Sequence, residues 1–177
     1  MNPETGPGMV GIEDGLERLW TPHRMAYIDS HQTPVDKVRC PFCDSPARED
    51  ADGLIVHRGE AAFVICNLYP YNPGHLLVCT YRHVADYTDL TEAEVREVAD
   101  LTRQAMRVVR SVSAPAGFNL GVNQGAVAGA GVADHFHQHV VPRWLGDANF
   151  FPVVAQTKAI PQLLGETRRL LAEAWSR

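Results

Sequence analysis

Apolar residues follow two rhythms along this chain. Short runs at 54–57, 61–67, 75–80, 118–123, 133–141 and 150–155, several bounded by Gly or Pro, predict strands. Residues 91–112 keep a helical period instead. Val95, Val98, Leu101, Ala105, Val109 and Val112 fall on one face. Thr91 and Glu94 make a capping box at the start of that helix, and Leu90 can staple onto Val95. A second helix is expected from near Pro161, a residue type suited to the first helical position. Leu163, Leu164, Leu170, Leu171 and Trp175 give it an apolar side. Residues 29–52 are polar and irregular, and residues 1–18, with Pro, Gly and acids, read as a loose arm. There is no internal repeat and no low-complexity linker. The pattern predicts an α+β fold over residues 19–177: a mainly antiparallel sheet, with the long helix and a C-terminal helix packed on it.

A chain of 177 residues can bury one proper core, and 45% hydrophobic with 21% charged residues is an ordinary globular composition. The net charge of −5 argues against a large nucleic-acid footprint, which needs a basic face. A local basic pocket for phosphates stays open. No apolar run approaches the roughly 20 residues of a membrane span. The first 18 residues have neither the basic start nor the apolar centre of a signal peptide, so a cytoplasmic protein is expected. Its four cysteines then stay reduced or bind metal rather than form disulfides.

The chemistry concentrates in Asp134-His135-Phe136-His137-Gln138-His139-Val140-Val141-Pro142-Arg143. On a strand, alternate residues share a face, roughly 6.6 Å apart, so three imidazoles are expected in a row. Such a row binds a metal or moves protons and groups near neutral pH. It is internal and interrupted, which excludes a tag. Neighbouring positions on one strand wrap poorly around a tetrahedral ion, which disfavours a metal site built from the row alone. One buried histidine is common in a core; three in register are not. A neutral imidazole is also a nucleophile at pH 7 without further activation.

The segment resembles the signature of the histidine-triad (HIT) superfamily, in which His alternates with apolar residues. The likeness extends to Phe63-Val64-Ile65-Cys66-Asn67-Leu68-Tyr69-Pro70-Tyr71-Asn72-Pro73-Gly74-His75-Leu76-Leu77-Val78, which resembles the nucleotide-binding half of that fold. Asn123-Gln124-Gly125 resembles its phosphate loop. Leu19 to Met25, and the tail from Pro142-Arg143-Trp144 to Leu164, resemble the bacterial diadenosine-tetraphosphate phosphorylase branch. These segments span most of 19–177. Gln138 stands where the pattern expects an apolar residue; it faces away from the row, so altered packing is expected rather than lost chemistry.

The resemblance implies that His137, the middle histidine, attacks the α-phosphorus of a nucleotide and forms a nucleotidyl-histidine. One ring nitrogen must then be free, so the other is expected to donate to a carbonyl. His139 is assigned to phosphate binding and proton delivery, and His75 to the histidine network. Gln124, with Asn123 and Gly125, is expected to meet the phosphate, helped by backbone N–H groups of the Gly- and Ala-rich run at 126–132. Asn67 is expected at the ribose hydroxyls, although a turn Asn reads as well. Arg143 suits distal phosphates or a solvated charge.

Cys40-Pro41-Phe42-Cys43 has the spacing of half a structural zinc site. Zinc-carrying members of the superfamily, such as the hexose-1-phosphate uridylyltransferases, imply His83 and His135 as the other ligands. Zinc there would fix the start of the catalytic strand without touching substrate. Cys66 and Cys79 lie in apolar strands as small core residues. The branch implies phosphorolysis of diadenosine tetraphosphate to ATP and ADP, with inorganic phosphate as acceptor. Water as acceptor gives a hydrolase of dinucleoside polyphosphates or nucleoside phosphoramidates. A low-turnover nucleotide sensor is the reading from another class. The family also implies a homodimer.

Overall fold

The computed structural model describes residues 40–147 and 162–176. The arm at 1–18, the Trp20 region, the strand expected at 150–155 and Pro161 lie outside the described residues.

A one-turn helix α1 (Pro41–Asp44) precedes a 3-10 turn at Ser45–Ala47. Strands β1 (Ile55–Arg58), β2 (Ala62–Cys66) and β3 (Leu76–Thr80) form a meander. Helix α2 (Glu92–Ser113) follows, then β4 (Gly117–Gly121), β5 (His137–Arg143) and helix α3 (Leu164–Trp175). The sheet is antiparallel throughout, in the order β1-β2-β3-β5-β4. The expected α+β architecture is therefore present, and the last strand among the described residues is inserted between β3 and β4.

Strands β2 and β3 read Ala-Phe-Val-Ile-Cys and Leu-Leu-Val-Cys-Thr, and every residue is buried. Strands apolar at every position must be covered on both faces. One face packs on α2 and α3 through Val64, Val78, Val98, Leu101, Val109, Val140 and Leu171. The other carries a smaller cluster of Cys40, Phe42, Ile55, Phe63, Ile65, Leu77 and Cys79. Cys66 and Cys79 are buried in these layers, and burial pushes the Cys66 thiol up to about 12.

Helix α2 starts at the expected box: Thr91 accepts from the Glu94 N–H, and the Glu94 carboxylate accepts from the Thr91 N–H. Leu90 packs against the core beside it. Val112 is exposed and Val108 is buried in its place, so the apolar stripe ends one turn earlier than the pattern suggested.

Two element boundaries differ from expectation. The C-terminal helix begins at Leu164, with Leu163 as its exposed N-cap rather than part of the apolar side. The Leu163 carbonyl accepts from both the N–H and the hydroxyl of Thr167, so the first helical bond starts there. Strand β5 begins at His137, not at 133, because its pairing with β3 stops there: Cys79–His137 is the last paired position. His135 consequently lies outside the strand. The segment before β5 is pinned by the Phe136 N–H on the Val84 carbonyl, at 2.6 Å.

Candidate active site and metal centre

The alternation of β5 decides which side chains reach the site. Gln138 points to the helices and donates to the Thr102 hydroxyl at 2.8 Å, so its polar amide is satisfied within the packing. His137 and His139 point to the other face, opposite Cys79 and Leu77. Their ring centroids are 5.2 Å apart. The row of three is thus two strand histidines plus His135, which turns deeper, toward Thr80 and Cys40.

The hydrogen bonds fix the tautomers. His137 Nδ1 lies 2.8 Å from the His135 carbonyl and must donate to it, which leaves the lone pair on Nε2. His75 Nδ1 accepts from the Tyr71 N–H at 3.0 Å and faces the Asn67 amide nitrogen at 3.3 Å, so it carries no proton. His75 therefore donates through Nε2 to His139 Nδ1, at 3.0 Å. The remaining proton of a neutral His139 sits on Nε2. That atom is buried and has no hydrogen-bond partner among the described residues. Burial, and secondarily His137, push the His139 ring down to about 4, and burial lowers His137 as well, so both rings are neutral near pH 7. A lone pair and a donor hydrogen thus stand on adjacent rings, which is the equipment of a nucleophile and of a hydrogen-bond donor to developing negative charge.

Glycine at position 74 makes this possible. Its φ of +73° belongs to the left-handed region, and the turn returns the His75 N–H to the Asn72 carbonyl at 3.1 Å just before β3.

A cleft of about 340 Å³ opens against His139, with Tyr71, Asn119, Asn123 and Arg143 around it. A larger groove, about 560 Å³, runs between α2 and α3. It holds no histidine, cysteine or hydrogen-bond relay, so the chemistry places the site at the smaller cleft. Arg143 is clamped: Nε and Nη2 donate to the Asp147 carboxylate at 2.6 and 2.9 Å, and Nη1 to Asn119 Oδ1 at 2.7 Å. That pair holds the Asp147 carboxyl well below the usual carboxylate range.

Other expected residues sit differently. Gln124 turns to the loop before α2, accepting from the Tyr87 N–H at 2.9 Å and donating to Asp86 at 2.8 Å. Asn67 accepts from the Tyr69 N–H at 3.0 Å, the turn reading of that residue. Gly125, with φ +82°, starts the 3-10 turn Ala126–Ala128. Sequence reasoning missed Tyr71, Asn72 and Asp147. Asn72 is buried and bridges the Pro142 carbonyl and Asp147, at 2.8 and 2.7 Å. Its place before Pro73-Gly74 was the one signal available.

Cys40, Cys43, His83 and His135 converge, their donor atoms all within 4.8 Å of one another. Zinc bonds of about 2.3 Å to sulfur and about 2.05 Å to nitrogen give a tetrahedron with edges of roughly 3.3–3.8 Å. The distances found are 3.3 Å from Cys40 Sγ to His135 Nδ1, 3.4 Å from Cys43 Sγ to the same atom, and 3.2 Å from Cys43 Sγ to His83 Nδ1. His135 Nε2 donates to the Thr80 carbonyl at 2.8 Å, which leaves Nδ1 as the lone-pair atom. Burial and the adjacent Cys40 push the Cys43 thiol up to about 11, a penalty that a bound cation reverses. These four residues can hold a metal ion.

A histidine-triad pair on an antiparallel strand, a third histidine relaying to it and a Cys/Cys/His/His centre beneath define a class. Comparison with known proteins agrees. Residues 48–144 match the family model described as "HIT domain", and the chain belongs to the HIT family. It is 48% identical to an "AP-4-A phosphorylase" of Mycobacterium tuberculosis, over 95% of this chain and 89% of that one. It is 38% identical to a "Bis(5'-nucleosyl)-tetraphosphatase [asymmetrical]" of Schizosaccharomyces pombe, over 50% of this chain and 47% of that one. Among solved structures, a "ZN-bound histidine triad family protein" from Mycobacterium smegmatis superposes with a TM-score of 0.63 at 26% identity, covering 80% of this chain and 96% of that one.

Proposed function

We propose that the protein phosphorolyses diadenosine tetraphosphate to ATP and ADP through an adenylyl-histidine on His137. The observation that carries this reading is the pair of fixed tautomers: a lone pair on His137 Nε2 beside a His139 Nε2–H that has no partner among the described residues. His137 Nε2 attacks the α-phosphorus, and the bond from that phosphorus to the bridging oxygen breaks. ATP leaves as its anion, the departing oxygen accepting a hydrogen bond from His139 Nε2–H, and His137 keeps its Nδ1–H beside the new N–P bond. An oxygen of inorganic phosphate then attacks the adenylyl phosphorus. The P–N bond breaks, its electron pair returns to His137 Nε2, and ADP departs with any proton the phosphate carried. The neutral His75 holds His139 in the donor tautomer throughout.

Asn123 and Arg143, at the cleft, serve the polyphosphate; Gln124 and Gly125 supply further donors from the neighbouring loop. Asn67 is the candidate for the ribose. Its amide is engaged with the Tyr69 N–H and His75, so the role requires that arm to exchange partners when nucleotide enters. The 48% identity to a named phosphorylase favours phosphate as acceptor. The tetraphosphatase relative supports water as the second reading. Zinc is the metal we assign to Cys40, Cys43, His83 and His135, from the donor set and its spacing. When bound it supplies a fixed anchor for His135, whose carbonyl in turn orients His137.

Product analysis decides the acceptor: ADP is expected only when phosphate is present, whereas AMP without phosphate selects the hydrolase. After an alkaline quench, labelled AMP is expected on the wild-type protein and absent from His137→Ala, with turnover lost by at least about 10³-fold and the fold retained. Turnover by that variant at the wild-type rate ends the assignment.

A further inference from the structure

We propose that Phe42 is a positioning residue for the nucleophile: the ring carried between the two cysteines of the metal knuckle is the wall that holds the His137 imidazole in its attacking orientation. The proposal rests on His137 being the nucleophile. It concerns how that ring is kept in place once its tautomer is set.

The knuckle is a single helical turn in which the N–H groups of Cys43 and Asp44 both donate to the Cys40 carbonyl, at 3.0 Å each. Successive residues on such a turn are rotated by about 100°. Cys40 and Cys43 therefore face His83 and His135, while Phe42 is directed elsewhere. Its ring lies 5.0 Å from the His137 ring at 42°, and 5.6 Å from the His135 ring, edge-on at 76°. One short peptide thus touches both the ligand histidine and the nucleophile. Phe42 is 9% exposed, and Cys79 stands opposite His137 on the neighbouring strand.

The single bond from His137 Nδ1 to the His135 carbonyl fixes one atom of the ring. It leaves the ring free to tilt about that contact, and tilting moves Nε2, the atom that must meet phosphorus. The rings of Phe42 and His139, at 5.0 and 5.2 Å, supply the remaining restraint. A hydrocarbon ring suits the task. It offers no acceptor to compete for the Nδ1–H and no donor to occupy Nε2, and it keeps water from the bond at Nδ1. A metal held by Cys40, Cys43, His83 and His135 would steady His137 by two routes, the carbonyl of His135 and the ring of Phe42.

The rival is that Phe42 only fills the small core beside the sheet. Phe42→Leu and Phe42→Met keep most of the volume and remove the ring. Each is made in the full chain and measured in four ways: metal content, the visible bands of the cobalt-substituted protein, the ring nitrogen resonances of His137 at pH 8, and kcat and KM for diadenosine tetraphosphate with phosphate. Displacement of a reacting atom by about 1 Å costs up to about 10²-fold. We expect one equivalent of metal, unchanged cobalt bands, KM within about twofold, a kcat at least about tenfold lower, and His137 resonances that no longer report a single Nδ1–H tautomer. The proposal is overturned by a kcat within twofold of wild type in a variant that keeps its metal. It is equally overturned if the loss of activity tracks a loss of metal in both variants, or appears in KM alone. An active His137→Ala protein would remove the nucleophile reading whatever Phe42 does. An inert one, beside fully active Phe42 variants, removes only the role of Phe42.

Discussion

The two faces of the sheet share the same strands and do different work. Among the described residues, the helix-covered face gathers fifteen buried apolar side chains into one cluster. The opposite face gathers seven, two of which are Cys40 and Cys79, and then gives way to histidines, cysteines and an open cleft. Strand β5 belongs to both. Val140 packs under the helices, whereas His137 and His139, from the same seven residues, turn to the site. A strand's period of two lets one segment anchor itself in a rigid core and present reactive groups on its other side. The four residues that could hold a metal stand on this thinner face, where ligand bonds to a bound ion would add order beside a smaller apolar cluster.

This division can be broken from either side. Metal removal should have the largest effect, and on one face only. Protein purified without added metal is expected to carry close to one equivalent of zinc. Chelation should abolish turnover and lower the melting temperature while far-UV dichroism keeps the signal of α2. A metal content below about a tenth of an equivalent would reject the centre.

Next comes the helix face. Leu101, buried on α2, should cost about 3 kcal/mol when changed to Ala, measured by denaturant unfolding, with kcat and KM unchanged. A large change in kcat at constant metal content would mean that the faces are coupled more tightly than the layered packing implies.

The smallest effect is in pH. Burial lowers the His139 ring from 6.5 to about 4. The unfolded chain takes up that proton below about 6.5 and the folded one resists until about 4. Unfolding therefore binds protons in this window, and stability must fall as pH drops through it. A His139→Gln variant should lose part of the slope of melting temperature against pH between 6.5 and 4. Identical slopes for the two proteins would mean that His139 is not buried as described.

Much of this was legible in the sequence, for physical reasons. Strands β2 and β3 could be read because both faces are covered, so apolar residues run without interruption. Helix α2 announced its start because the Thr91–Glu94 box is purely local chemistry. The Cys40–Cys43 spacing signalled half of a metal site because one helical turn brings such a pair together. Boundaries set by partners were not legible. The start of β5 depends on where its pairing with β3 stops, and that of α3 on the Leu163 carbonyl, which receives the first helical bond from Thr167. The partners of Gln124, which accepts from the Tyr87 N–H and donates to Asp86, lie in a loop that no spacing in the chain reveals.

By itself, then, the sequence determined the period of each element, the face on which His137 and His139 emerge, and which residues have the chemistry to bind metal or attack phosphorus. Those properties are carried by adjacent residues and by the intrinsic reactivity of imidazole and thiol. The tertiary structure alone decided which nitrogen carries each proton, where His135 points, and that Phe42 rests on His137. Each of these depends on a carbonyl, an N–H or a ring brought within a few ångströms from a distant part of the chain, and local sequence holds no record of such a distance.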